Sequence, residues 1–208
     1  MVRWGVDIIS LSFGYSSNSG DGYAEIAAAI SRASKKALIF AAARNNGFNE
    51  GRAWPARERG VFCVYSTDSG GTWSPYNAPK MMHGSPNLAV VGEAVTSYWP
   101  SHLCVKAKNS TELLAKSGTS FATPIAASIV AFLIMFARTH LEPSEVENLR
   151  NFANMKAIIE GICLASVAKG HEAPKYSYLA LNMKPDNLFA KDVEEIKKTI
   201  RDALVGRG

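Results

Sequence analysis

Lys116-Ser117-Gly118-Thr119-Ser120-Phe121-Ala122-Thr123-Pro124 runs straight into Ile125-Ala126-Ala127-Ser128-Ile129-Val130-Ala131-Phe132-Leu133-Ile134. A turn of small residues therefore delivers a serine to the start of a long apolar helix. Gly118 permits backbone geometry closed to residues with a side chain. Pro124 is expected in the first turn, where its missing N–H costs least. From Phe121 to Ala137 the segment is apolar nearly all round, the pattern of a helix buried on most sides. Ser120 then stands at the positive end of the helix dipole, among free N–H groups. That place suits a nucleophile whose reaction develops negative charge. The plainer use of a serine there is as an N-cap. The helix is just long enough to enter the transmembrane range, but Thr123, Pro124, Ser128 and its alanines suit a core helix better.

Upstream, Val6-Asp7-Ile8-Ile9-Ser10-Leu11-Ser12-Phe13-Gly14 is a nearly continuous β-prone run, as in a central strand of a parallel sheet. Ser16 to Gly22 is loop sequence, and Tyr23 to Lys36 carries apolar residues at helical spacing. Ala37-Leu38-Ile39-Phe40-Ala41-Ala42-Ala43 is a second buried strand, closed by Arg44-Asn45-Asn46-Gly47. Strand, helix and strand with short connections make a right-handed parallel crossover. Trp54-Pro55-Ala56-Arg57 is a turn before a strand from Gly60 to Asp68, and Gly70 to Pro86 has no period and reads as loop. Leu88–Gly92 is a short strand, Ala94–Trp99 a further candidate, and His102–Glu112 a polar excursion. Beyond the core helix, Glu142-Pro143-Ser144-Glu145 is a helix start. The apolar face that follows runs through Val146, Leu149, Phe152, Met155 and Ile159. Tyr176–Leu181 is β-prone, Pro185-Asp186-Asn187-Leu188 a turn, and Lys191–Leu204 a charged helix with a solvated face.

The string from Ser117 to Pro124 resembles the nucleophile motif of the subtilisin-like serine proteases, peptidase family S8, in which the second serine attacks the scissile carbonyl. The resemblance implies that Ser120 is the catalytic nucleophile. Two upstream stretches extend it in order. Ser12-Phe13-Gly14 looks like the strand that walls the pocket for the residue before the cut. Ala41-Ala42-Ala43-Arg44-Asn45-Asn46-Gly47 looks like the family's Ala-Ala-Gly-Asn-x-Gly, whose asparagine donates to the oxyanion. Asn45 is thereby implied as catalytic, and Ser12, Phe13, Gly14, Ala43 and Arg44 as substrate-binding. Taken alone, Asn-Asn-Gly is an ordinary turn. One position departs from the family pattern. Its glycine before the asparagine is Arg44, whose side chain either crowds the pocket or places a cation in it. Trp54-Pro55-Ala56 is similar to the family's Tyr-Pro-Ala, while Val91-Gly92-Glu93 replaces a frequent Ala-Pro-Gly turn.

The resemblance covers residues 4 to 137, with a weaker tail to 165. It implies a C-terminal portion of a peptidase domain over residues 1–165 and an extension over 166–208. The implied fold class is α/β, a three-layer subtilisin-like sandwich with a parallel sheet, the N-terminal part of the fold missing. Subtilisin-like triads run Asp, His, Ser in chain order, and the family's Asp and His motifs lie ahead of the Ser-Phe-Gly strand. Neither motif occurs here. His83, His102, His140 and His171 read as surface or structural residues, and Asp7, Asp21 and Asp68 match no triad motif.

Composition narrows the classes. At 208 residues, with 47% hydrophobic and 20% charged, the chain suits one globular domain with a sizeable core. Its net charge of +5 is scattered, so nucleic acid is not indicated as a partner. Cys63, Cys104 and Cys163 show neither metal spacing nor a disulfide framework. Free thiols, and an opening that runs straight into strand sequence without a signal-peptide pattern, favour an intracellular compartment. No membrane span and no cofactor are expected, and no carboxylate cluster compels one of the family's variable calcium sites. The function expected is serine endopeptidase by an acyl-enzyme route, inactive as this chain alone. Its partners are a polypeptide substrate and an upstream segment or partner chain that supplies Asp and His. The alternative is a pseudo-protease or peptide-binding module that pairs an extended peptide along Ser12-Phe13-Gly14 without cutting it. A purely structural domain leaves the Ser120 motif unexplained.

Overall fold

Two of the apolar runs become adjacent parallel strands. β1 (Ile8–Leu11) lies beside β2 (Leu38–Ala42), with Ile8 opposite Leu38 and Leu11 opposite Ala41. The crossover between them is α1 (Tyr23–Ala33), which stops three residues short of the expected Lys36 at a Ser34 cap. The computed structural model describes residues 5–16, 20–47, 50–80, 87–100, 113–165, 176–179 and 188–205. Within these, β3 (Val61–Thr67) and β4 (Asn87–Val91) extend the sheet in parallel. β5 (Val95–Tyr98) and β6 (Leu113–Lys116) form a separate antiparallel pair, and β7 (Ser177–Tyr178) adds to β4. The main sheet has the order β1-β2-β3-β4-β7, parallel throughout. The polar excursion at 102–112 and the turn at 185–187 lie outside the described residues.

The strands are apolar on both faces because both faces are covered. Successive side chains alternate across a strand. Leu38, Phe40, Phe62, Val64, Leu88 and Val90 therefore enter one core, with α2 (Thr119–His140) laid across them. Ile39, Ala41, Val61, Cys63 and Tyr65 enter the other, against Ile30 and Ala33 of α1 and the indole of Trp54. The first core continues into α3 (Pro143–Leu149), α4 (Phe152–Ala165) and α5 (Val193–Val205), through Leu149, Met155, Ile158, Ile196 and Ile200.

α2 departs from the expectation of burial on most sides. Ala122, Ala126, Val130 and Leu133 face the sheet, but Pro124, Ser128, Ala131 and Met135 face outward. The sheet and the later helices cover only one side of it. Among the described residues α2 is the one helix long and apolar enough to cross a membrane, and half of its apolar window is buried against the chain. The amphipathic stretch after it is two helices rather than one. Glu142 and Glu145 form a capping box at the start of α3. Asn151 then restarts the helix by accepting the N–H groups of Ala153 (2.8 Å) and Asn154 (3.3 Å).

Candidate active site

The carboxyl ends of β1, β2, β3 and β4 meet the amino end of α2, and it is there that parallel α/β sheets place their sites. The helix begins at Thr119 with Gly118 as its N-cap, so Ser120 is not the cap but the second helical residue. Gly118 has φ 151 and ψ 159, a conformation that disfavours any side chain. Room is a second reason for glycine: a Cβ there would lie 3.0 Å from Asn45 Nδ2.

Pro124 falls in the second turn rather than the first, which gives it a consequence. Having no N–H, it leaves the carbonyl four residues back, that of Ser120, without its helical partner. The Ser12 hydroxyl donates to that carbonyl at 2.9 Å. In return the Ser120 hydroxyl donates to the Ser12 carbonyl at 3.1 Å. This reciprocal pair docks the end of β1 onto the first turn of α2.

Asn45 approaches from the β2 side. Its Oδ1 accepts the Thr119 N–H at 2.8 Å, an otherwise orphaned donor of the first turn, which leaves Nδ2 as a donor beside Gly118. Arg44, one residue earlier, donates its N–H to Thr119 Oγ1 at 3.3 Å. Its φ of 126 is unusual for a residue with a Cβ, a strain on the order of 1–3 kcal/mol. The Arg44 guanidinium bonds Ser16 Oγ and pairs with Glu50. Ala43 is fully buried, and its carbonyl accepts the Ala53 N–H at 2.9 Å. Phe13 is 56% exposed and Gly14 lies against Ala53. Of the seven residues singled out in the sequence, Ser12, Arg44 and Asn45 thus bond the first turn of α2, which carries Ser120, while Phe13, Gly14 and Ala43 are their chain neighbours.

Several positioning residues carry no motif. Asn77, fully buried in the segment read as featureless loop, donates Nδ2 to the Ser66 carbonyl (2.6 Å) and accepts the Ser66 N–H (3.0 Å). Tyr76 shares a hydrogen bond with Ser66 Oγ (2.8 Å), and its carbonyl accepts the Gly47 N–H (2.7 Å), which pins the Asn45 loop. Gly92 joins the two halves. Its carbonyl accepts the Gly118 N–H at 2.9 Å, and a Cβ on it would strike Ser66 Oγ at 2.6 Å and Ala122 Cβ at 2.9 Å. The usable signal was Ser66-Thr67, two polar residues ending an otherwise apolar strand.

His140 and the aspartates weighed in the sequence lie elsewhere. His140 ends α2, twenty residues beyond Ser120, roughly 30 Å at the helical rise, and its ring lies tilted against Phe136. Asp7 is held by Arg138 (2.8 Å) and Arg150 (2.7 Å) at the amino end of β1. Asp68 accepts the N–H groups of Gly70 and Thr72 within its own turn, and Asp21 is exposed before α1. His83, His102 and His171 lie outside the described residues. No three His, Cys, Asp or Glu side chains cluster among those described. Cys63 and Cys163 are free, buried thiols, and burial pushes them up to about 11 and about 12.

Comparison with known families bears on the chain as a whole. The model of the subtilase family, peptidase S8, matches residues 1–178. The chain belongs to the subtilase family. Among curated relatives, the subtilisin-like protease het-Q2 of Podospora anserina is 31% identical over 141 residues. That match takes in 65% of this subtilase chain but 37% of the relative. Among solved structures, the prenylagaramide maturation protease PagA is similar with a TM-score of 0.60 at 19% identity. The match covers 96% of this chain and 64% of that one. The patellamide maturation protease PatA gives a TM-score of 0.59 at 20% identity, over 97% and 65%. At these identities the structural likeness is one of fold, and this subtilase chain spans less than two thirds of each.

Proposed function

We propose that this chain carries the nucleophile-bearing portion of a subtilisin-like serine endopeptidase. Ser120 attacks the peptide carbonyl, and Asn45 donates to the oxyanion that forms. The observation that carries the reading is the hydrogen bond from the Thr119 N–H to Asn45 Oδ1. It turns the amide so that Nδ2 stays a donor beside the first turn of α2, where the helix dipole also favours negative charge. Attack forms a bond from Ser120 Oγ to the carbonyl carbon. The hydroxyl proton passes to a base, then to the departing amine, and water later releases the acyl group. The base and its orienting acid come from an upstream segment or a partner chain. The edge of β1 away from β2, which carries no strand among the described residues, and the outward stripe of α2 give such a segment surfaces on which to pack.

A second reading has one observation in its favour. The Ser120 proton is directed at the Ser12 carbonyl, not at a base. Left so, the site binds an extended peptide along Ser12-Phe13-Gly14 without cutting it. A fluorophosphonate probe separates the two. The chain alone is expected to resist labelling, and to be labelled once a segment bearing the Asp and His motifs is joined to it. Ser120→Ala then abolishes the signal. Continued silence of the completed protein favours the binding module. Rapid Ser120-dependent labelling of the chain alone would show that a histidine of its own reaches the serine.

A further inference from the structure

We propose that Arg44, Ser16 and Glu50 form a latch across the slot beside Ser120, so that the slot accepts only a small uncharged side chain: glycine, alanine or serine. The inference rests on reading Ser120 and Asn45 as a peptide-handling site, and it names which peptides that site takes.

The slot has two walls and a floor. One wall is the chain from Ser12 to Ser16, and the other is Ala43 to Asn45. Ala53 and Trp54 join them. Tyr15 and Trp54 exchange N–H to carbonyl bonds of 2.8 and 2.9 Å, and the Ala53 N–H reaches the Ala43 carbonyl at 2.9 Å. At Gly14 the first wall rests directly on the floor, since a Cβ there would lie 2.5 Å from Ala53 Cβ. Both walls are thus fixed at their base, and neither can swing away to admit a bulky group.

Arg44 starts on the second wall and ends on the first. Its guanidinium bonds Ser16 Oγ and pairs with the carboxylate of Glu50, and its side chain is only 15% exposed. Glu50 is itself held, since its Oε2 accepts Asn46 Nδ2 at 3.1 Å. A large side chain entering the slot has to displace the guanidinium from both partners. An acidic one gains little, because the Glu50 carboxylate already offsets the charge of Arg44 and repels a second anion. A small neutral side chain leaves the latch closed. Of the two roles the sequence left open, the geometry points to crowding, not to a cation on offer.

The test uses the chain, alone and joined to a segment bearing the Asp and His motifs, with peptides varied at the residue ahead of the cut. Cleavage is read by mass spectrometry, and binding of the same peptides to the Ser120→Ala form by calorimetry. Wild type should favour glycine, alanine and serine over phenylalanine, leucine and glutamate by about tenfold or more. Arg44→Gly should admit phenylalanine and leucine. Glu50→Gln, which keeps the guanidinium but removes its counter-charge, should gain a preference for glutamate and aspartate. The binding arm reads the latch even where nothing is cut, so a failure of catalysis counts against the endopeptidase reading alone. The latch is overturned by equal selectivity in wild type and Arg44→Gly, by a Glu50→Gln form that gains nothing for acidic residues, or by no peptide binding in any form.

Discussion

β3 and β1 lie two places apart in one sheet and live in opposite surroundings. All of β3 is buried, between two strands and between two helical layers. β1 has a strand neighbour on one side among the described residues, and only Ile9 of its four residues is buried. The contrast divides the labour of the fold. Stability is concentrated around β3, where both cores meet, while the exposed chain continuing from β1 is free to carry Ser12, Gly14 and Ser16 to the mouth of the site. On the function proposed here, a wall that receives a peptide cannot also be a fully covered strand.

The hardest test of this contrast is truncation in each strand. Phe62 stacks on Phe40 at 4.8 Å and meets Phe152 at 4.5 Å, with no exposure. Phe62→Ala should cost about 3–5 kcal/mol. Leu11→Ala, at the half-buried end of β1, should cost under about 2 kcal/mol. Urea denaturation of both variants measures the difference. Equal losses would mean that β1 is as firmly packed as β3, and the division of labour would fail.

A finer comparison sets the polar groups at the two strand ends against each other. Removing Asn77 takes the acceptor from the buried Ser66 N–H and one of two donors from the Ser66 carbonyl, which keeps the Ser74 N–H at 3.2 Å, so Asn77→Ala should cost about 1–3 kcal/mol. Ser12→Ala removes one hydroxyl from an exposed place and should cost less than about 1 kcal/mol. Its effect belongs to the site instead, where the Ser120 carbonyl loses its donor. In the completed protein, probe labelling should fall more for Ser12→Ala than its stability change accounts for. If labelling and stability fall together in both variants, the reciprocal serine pair is only structural.

These two strand ends also show where sequence reasoning succeeds and where it stops. The parallel pairing of the first two strands was legible because uninterrupted apolar runs, separated by a helical repeat, have few other solutions. The meeting of Asn45 with the first turn of α2 was legible because both stretches are contiguous motifs. Asn77 was not, because a single amide in a Gly, Ser and Pro-rich segment looks the same whether it turns in solvent or satisfies a buried strand end. The outward stripe of α2 was misjudged for a related reason. Periodicity reports which residues could be buried, but whether Ala131 and Met135 are covered depends on what else is present. Pro124 was placed one turn early, and with that error went the free Ser120 carbonyl that Ser12 fills. The direction of the Arg44 side chain depends on Ser16 and Glu50, neither of which belongs to a motif.

The smallest effect expected lies at the exposed tie between α3 and α5. Arg201 donates to both oxygens of Glu145, at 2.7 and 3.1 Å, and the Glu142 N–H adds a bond at 3.0 Å. The guanidinium first, and the N–H second, hold the Glu145 carboxyl down at about 2 against an ordinary 4.5. A depressed carboxylate contributes stability that is complete above its unfolded value and is lost as pH falls toward its folded one. The stability gap between wild type and Glu145→Gln should therefore be flat from neutral pH down to about 5, then close progressively between about 4.5 and 2. Because the pair is exposed and screened, the gap should be smaller than that for Asn77→Ala and should shrink in high salt. Denaturation midpoints across this pH range, at low and high ionic strength, provide the check. A gap that persists unchanged at the acid end would mean that the charge is incidental. α5 would then be held by Ile196, Ile200, Ala203 and Leu204, the same apolar core that reaches β3.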